Sequence, residues 1–259
     1  MNKFPLLVNL LPKTDPRYKR WRRSLRKRPE PWNKGCIKES NLSVAKISRT
    51  FKTRKIDNFK KWREKAIRLG IIRNKFPKLE KNGDLAELIG VVLGDGYIGK
   101  FPRTELLTIV SNSKNTGFIE RYSKLVAKIF QKKPSLSKRK TSNCVDIKIY
   151  QKEISERLDI PSGARGNLVK EIPRWIIRNR NHLKRYLRGL YEAEGSFCIH
   201  RPTYTYKFLF ANKNESLKQN VYKGLEILGF HPHESKYQIQ ISRKEEVFKA
   251  KKLIRFRQY

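Results

Sequence analysis

Two nine-residue stretches about a hundred residues apart constrain this chain more than anything else in it: LIGVVLGDG over Leu88 to Gly96, and LRGLYEAEG over Leu187 to Gly195. Each reads as an apolar helix with small residues four apart, Gly90 and Gly94 in the first and Gly189 and Ala193 in the second, closing on an acid and a glycine. Residues i and i+4 share a helix face, and two faces without bulky side chains can meet nearly backbone to backbone. Such a contact brings Asp95 and Glu194 side by side. Each acid then sits at the negative end of its helix dipole, where a carboxylate is disfavoured by roughly 0.3–1 kcal/mol, and each lies close to another carboxylate. Divalent cations relieve both penalties, so the pair reads as a metal site on a pseudo-twofold axis. The structural alternative is a plain helix stop, with Gly96 and Gly195 in the left-handed conformation. It does not explain why acid and glycine recur together.

The 259 residues suffice for one large domain or two modest ones, and 38% apolar residues for a real core. A net charge of +38 far exceeds what solubility requires and points to a polyanionic partner, with nucleic acid as the default. No basic amphipathic helix or long apolar span suggests a membrane. The opening KFPLLVNLLP is too short and too Pro-broken for a signal peptide. Cys36, Cys144 and Cys198 are odd in number and widely spaced, which suggests a reducing compartment and argues against zinc. A prokaryotic cytoplasm or nucleoid is the expected location, with an organellar matrix as the alternative.

Charge and composition divide the chain. Residues 1–80 carry 25 Lys or Arg against 6 Asp or Glu, half of the net charge in under a third of the length. Within this basic extension the first forty residues mix Pro, Trp and Arg without clear period and read as an extended arm. Residues 43–70 read as two short helices around TRKID, suited either to a helix-turn-helix or to a basic helical hairpin. Beyond residue 85 the chain repeats. Each acid is followed by a strand (Tyr97 and Ile98; Phe197 and Ile199), a second strand (Leu106 to Ser111; Tyr206 to Ala211) and a helix. Asn112 and Asn212 fall at matching places, and a later strand recurs as VDIKIYQKE and YQIQISRKE. Its alternation sets Val145, Ile147 and Ile149 against Asp146, Lys148 and Tyr150, and Tyr237, Ile239 and Ile241 against Gln238, Gln240 and Ser242. The expected organisation is a first half over 85–160, a basic linker over 161–184 and a second half over 185–259. In an antiparallel sheet the polar face remains free for solvent or base edges.

These residues resemble the LAGLIDADG homing endonucleases, specifically the single-chain kind with two motif copies. The resemblance covers about 85–259 and implies an α+β fold: a pseudo-twofold pair of αββαββα halves whose antiparallel sheets form a DNA-binding saddle, here with the basic N-terminal helical extension added. The middle acid of the family motif is Leu93 in the first copy and Glu192 in the second. That position is not the catalytic one.

Carried over by position, Asp95 and Glu194 would be the catalytic carboxylates, holding two or three Mg²⁺ or Mn²⁺ ions with the backbone carbonyls of Gly94 and Ala193 nearby. Phosphodiester hydrolysis needs a Lewis acid on the phosphate, an activated water and stabilisation of the leaving oxygen, which fits the same assignment. Asn112 and Asn212 match a water-orienting position, though capping of the following helix is an equal alternative. A basic residue usually completes the site, and Lys148, then Lys207, are the candidates. The position three after Glu194, lysine in some relatives, is Phe197. Tyr150, Lys207, Gln238, Gln240 and Arg243, with Lys148, are expected to contact DNA from the sheets, and Arg22, Arg23 and Arg26 from the arm.

The expected activity is that of a site-specific, metal-dependent double-strand DNA endonuclease, acting as a monomer on a long asymmetric target. An intron-encoded RNA maturase and a cleavage-dead DNA-binding regulator of the same fold are the alternatives. Retention of both acids favours cleavage.

Overall fold

The computed structural model describes residues 11–71, 73 and 76–259. The opening segment read for a signal peptide lies, over residues 1–10, outside them. The chain divides into two compact units, Met1–Lys75 and Phe76–Tyr259. Leu79 packs on the core of the second unit, and Arg157 holds the Pro77 carbonyl at 3.0 Å and stacks on the Phe76 ring.

The first unit contains helices α1 (Pro16–Arg26), α2 (Leu42–Thr53) and α3 (Lys60–Arg68). The pair α2 and α3 falls where two short helices were expected. Helix α1 corrects the expectation of a wholly extended arm. Its start is set by local chemistry: Asp15 accepts a hydrogen bond from Arg17 N at 2.8 Å, and Pro16 occupies the first turn, where its missing N–H costs nothing. Tyr18, Trp21 and Leu25 then share one half-covered face. Arg23 and Arg26 in the last turn complement the dipole.

The second unit is organised by α4 (Gly83–Asp95) and α8 (Arg180–Glu194), the two motif helices. The first half continues through β1 (Gly96–Phe101), β2 (Thr104–Asn112), α5 (Thr116–Phe130), β3 (Ser135–Lys138), β4 (Cys144–Gln151) and α6 (Ile154–Leu158). The second continues from α8 through β5 (Gly195–His200), β6 (Thr205–Ala211), α9 (Glu215–Ile227), β7 (His233–Ser235), β8 (Gln238–Ile241) and α10 (Lys244–Ile254). Both halves are αββαββα, and their antiparallel sheets have equivalent orders, β1-β2-β4-β3 and β5-β6-β8-β7. Between the halves lies α7 (Arg174–Ile177). Helix α8 begins inside the segment read as linker, because Asn179 caps it by accepting from Asn181 N and His182 N, and Leu183 already joins the core.

The helices α4 and α8 meet as the small residues require, and reciprocally. A Cβ on Gly90 would collide with the Tyr186 carbonyl and stand 3.1 Å from Gly189 Cα; one on Gly189 would collide with the Glu87 carbonyl and stand 2.6 Å from Val91 N. Tyr186 and Glu87 occupy the same place in their helices, eight residues before the terminal acids, so the contact has a local twofold axis. Gly96 and Gly195 leave their helices in extended backbone, at φ −91° and −90°, and not in the left-handed conformation of an ordinary helix stop. Glycine is needed there for proximity: a Cβ on Gly96 would lie 2.6 Å from Val92 Cα, and one on Gly195 2.9 Å from Tyr191 Cα.

Alternation decides the faces of each sheet. Ile98, Leu107 and Ile149 form one cross-strand row of the first core, and Phe197, Phe208 and Ile241 the matching row of the second. Tyr191 stacks on Phe208 at 4.2 Å, fastening α8 to its sheet. The opposite faces carry Tyr97, Thr108, Lys148 and Ser135 in one row and Ser196, Leu209, Gln240 and His233 in the equivalent row. Tyr237 departs from the expected core face and is exposed, because β8 begins only at Gln238.

The reciprocal contact has a direct test. Gly90→Ala should destabilise the protein by about 2–3 kcal/mol in chemical denaturation, since the new methyl meets backbone that can yield only by separating the helices. Gly166→Ala, where nothing lies within 4 Å of the new atom, should leave the midpoint nearly unchanged.

Candidate active site

The close approach of α4 and α8 continues to their last residues. A Cβ on Gly94 would strike the Ala193 Cβ and lie 3.3 Å from Glu194 Cγ, so the Glu194 side chain runs directly against the first helix. Asp95 and Glu194 are thereby neighbours at two adjoining helix C-termini. Burial, and after it the charge of Glu194, pushes the Asp95 carboxyl up to about 7. Burial also raises Glu194, offset in part by a hydrogen bond from Asn212. The pair behaves as one crowded site that resists holding two negative charges.

Gly94 and Ala193 stand at the point of contact, so their carbonyls belong to the last turns beside the acids. Among the described residues no group of three or more His, Cys, Asp or Glu gathers to hold a metal. A cation here would draw on two carboxylates, backbone carbonyls and water. This hard-oxygen donor set suits Mg²⁺ or Mn²⁺ and not zinc.

The structure separates the two asparagines that the sequence paired. Asn212 Nδ2 donates to Glu194 Oε1 at 3.2 Å, while its Oδ1 accepts from Asn214 N at 2.7 Å. The Asn112 Oδ1 accepts from Lys114 N at 2.9 Å, and no hydrogen bond between Asn112 and Asp95 occurs among the described residues. The ladders explain the difference. Gly96 pairs with Ile109 and Gly195 with Phe210, so counting onward places Ser111, and not Asn112, at the position of Asn212. A slip of one residue in a strand turns a side chain to the other face. Neither asparagine caps the following helix. Asn115 and Asn214 hold those positions.

Lys148 lies on the helix-free face of β4 and pairs with Asp146 Oδ2 at 3.0 Å. Asp146 lies on the same face as Lys148, as the alternation sets it, but is buried beneath Lys148 and Arg139, whose Nε reaches it at 2.8 Å. Tyr150 is exposed on the same face beside Phe101. In the second half the ladder puts Gln240 where the first has Lys148, and Gln238 where it has Asp146. Lys207 is exposed on the free face of β6, opposite Cys198. Ser242 shares that side of the alternation. Phe197 faces the core and packs against Phe248, under the Lys251 ammonium at 3.9 Å. Arg243 sits off the free face: it precedes α10 and pairs with Glu246 at 3.2 Å. Arg22, Arg23 and Arg26 are exposed on α1 in the first unit.

Sequence reasoning missed Arg165. Its guanidinium donates to the carbonyls of Val92, at 2.9 Å, and Gly96, the two that flank the end of α4. No motif marks it, because it comes from the irregular segment between the halves.

A folded-state carboxyl near 7 against 3.8 in the unfolded chain means that the folded protein binds the Asp95 proton more tightly. Without metal, stability is therefore fully present below the unfolded value and declines as pH rises towards 7. In EDTA, Asp95→Asn should raise stability at pH 8 by about 1–3 kcal/mol and flatten the slope between about pH 4 and 7. Millimolar Mg²⁺ should raise the wild-type midpoint at pH 8 and leave the variant's nearly unmoved. Thermal melts across this grid provide the comparison.

No family model and no curated protein matches the chain. Among solved structures, I-DmoI in complex with DNA and Mn is similar, with 17% identity, a TM-score of 0.47, and coverage of 68% of this chain and 97% of that one. The N-terminal LAGLIDADG domain of WhiA matches at 16% identity and a TM-score of 0.45, covering 70% of this chain and 86% of its own. The LAGLIDADG homing endonuclease I-LtrWI bound to target DNA matches at 13% and 0.40, covering 63% and 79%.

Proposed function

We propose that this protein is a site-specific DNA endonuclease of the LAGLIDADG homing type, hydrolysing one phosphodiester bond in each strand. The observation that carries this reading is the pair of carboxylates at the ends of two helices in reciprocal contact, each leading directly into a sheet with a solvent-facing side. The motif resemblance and the charge of +38 support it. Structures of proteins named as homing endonucleases with DNA are among those similar in fold.

Asp95 and Glu194, with the carbonyls of Gly94 and Ala193, would hold the divalent cations. When bound, such cations supply Lewis acidity at the scissile phosphate and make water acidic enough to attack near neutral pH. Asn212 fixes the Glu194 carboxylate through its amide and so sets the direction of its lone pairs. Lys148, on the free face and only partly neutralised by Asp146, is placed to meet phosphate charge. The sheet faces supply recognition: Lys148 and Tyr150 in one half, Lys207, Gln238 and Gln240 in the other. Unequal faces on one chain suit a monomer on an asymmetric site. Arg22, Arg23 and Arg26 add contacts to phosphate, which fix position without reading sequence.

Duplex DNA spanning the gene's uninterrupted insertion locus should be cut with Mg²⁺ and bound uncut in EDTA. Asp95→Asn or Glu194→Gln should abolish double-strand cleavage while leaving binding largely intact; near wild-type cutting by either variant would refute the two-carboxylate assignment. Binding without any cutting would favour the regulator reading, and preference for folded RNA the maturase one.

The basic first unit has its own test. A chain beginning at Phe76 retains Leu79 and the Arg157 contacts and should fold and bind its target more weakly. Each phosphate that the shortened chain no longer neutralises should flatten the slope of log K against log salt by about 0.9. Equal slopes for full-length and shortened protein would remove the first unit from the DNA interface.

A further inference from the structure

The segment between the halves bears on the acid pair from both sides. At its first end, Gly163 N donates to the Ile98 carbonyl at 2.8 Å, pinning the segment to β1. Arg165 then reaches the Val92 and Gly96 carbonyls, one on each side of Asp95 in the chain. Val92 O and Gly96 O lie where α4 ends, so a cation there also meets the negative end of the helix dipole. The second terminal nitrogen of Arg165 is buried without a partner among the described residues, so these two carbonyls are what hold the side chain in place.

The backbone of the same segment is gripped by the second half. Asn214 Nδ2 lies within hydrogen-bonding reach of three carbonyls in the segment, those of Arg165 at 3.4 Å, Gly166 at 3.1 Å and Leu168 at 2.9 Å. The Asn214 N–H donates to Asn212 Oδ1 at 2.7 Å, and Asn212 Nδ2 donates to Glu194 Oε1. An unbroken polar path therefore runs from the end of α4, through Arg165, the strap backbone, Asn214 and Asn212, to the Glu194 carboxylate. Farther along, Ser216 and Asn220 hold the Lys170 carbonyl at 2.9 and 2.7 Å, so the strap is anchored at its far end too.

We propose that residues 163–168 form a positioning strap in which Arg165 and Asn214 jointly fix the two carboxylate-bearing helix ends relative to one another, so that cation affinity and the balance between the two strand cuts depend on residues that touch neither metal nor DNA. This rests on the reading of the acid pair as a divalent-cation site. Helix contact alone fixes the helix axes. The strap fixes the last carbonyls and the Glu194 rotamer, which coordination also needs. Outer partners of metal ligands typically alter metal affinity or activity by about 10–100-fold when removed.

The test uses the full chain with Arg165→Met, Arg165→Lys and Asn214→Ser. Serine retains a helix cap but lacks an amide to reach the strap, so it separates capping from positioning. Mn²⁺ is titrated calorimetrically without DNA, thermal midpoints are recorded, and the cutting of each labelled strand is timed with Mg²⁺. Arg165→Met and Asn214→Ser should each weaken Mn²⁺ binding by about tenfold or more and change the ratio of the two strand rates, with Arg165→Lys partly restored. Lower midpoints with wild-type Mn²⁺ affinity would reduce the strap to a structural tie and overturn the proposal. If Arg165→Met does not fold, Asn214→Ser decides by the same criterion. If the wild-type protein binds Mn²⁺ but cuts no DNA, the endonuclease reading fails while the Mn²⁺ comparison still decides the role of the strap.

Discussion

Backbone contact between α4 and α8 at Gly90 and Gly189 is the constraint on which the rest of the second unit depends. It sets the distance between the helices, and because β1 and β5 begin at the residues following the terminal acids, it also sets where each sheet starts. The opposite ends of these helices are held by charge. The Glu87 carboxylate, fully buried, accepts from Arg121 at 2.6 and 2.8 Å and from Arg185, joining α4 to α5 and α8. Removing one partner of such a cluster leaves an uncompensated buried charge, so its members are interdependent.

The departure of the two motifs from one another at their middle position has a structural explanation. Leu93 is buried in the core, whereas Glu192, equally buried, accepts from Arg257 N at 2.7 Å and from the Tyr259 hydroxyl. The acid there ties down residues 257–259. The Tyr259 ring in turn covers Gly117 at the start of α5, where no side chain fits beneath it. This position therefore serves packing and not chemistry, and each half satisfies it differently.

Much of the fold was legible because it rests on periodicity. The paired small residues, the terminal acids and the alternating strands each state a face in the sequence, and two duplicated halves follow from them, with the full αββαββα order implied by the family resemblance. What was not legible depends on particular partners across space. Helix α1 has only a narrow apolar stripe, Tyr18, Trp21 and Leu25, set among basic residues, with Asp15 and Pro16 marking its start. Asp146 alternates with buried residues yet is itself buried, since Arg139 and Lys148 neutralise it. The asparagines were matched by distance from their acids, but the ladder differs by one residue, and only Asn212 reaches its acid. Arg165 acts through backbone carbonyls, which no residue pattern encodes.

The meeting of bare backbone at Gly90 and Gly189 bears on how such a protein can change. A contact made of side chains can be repacked gradually, with its spacing drifting as residues are exchanged. Where Gly90 meets Gly189 there is nothing to exchange, so the spacing of the two helices that carry Asp95 and Glu194 is a property of the polypeptide backbone itself. If these acids address one phosphate on each strand, the stagger between the two cuts is inherited as a fixed length. The sheet faces, already unlike at Lys148 and Gln240, are free to acquire new sequence preferences around that unchanging ruler.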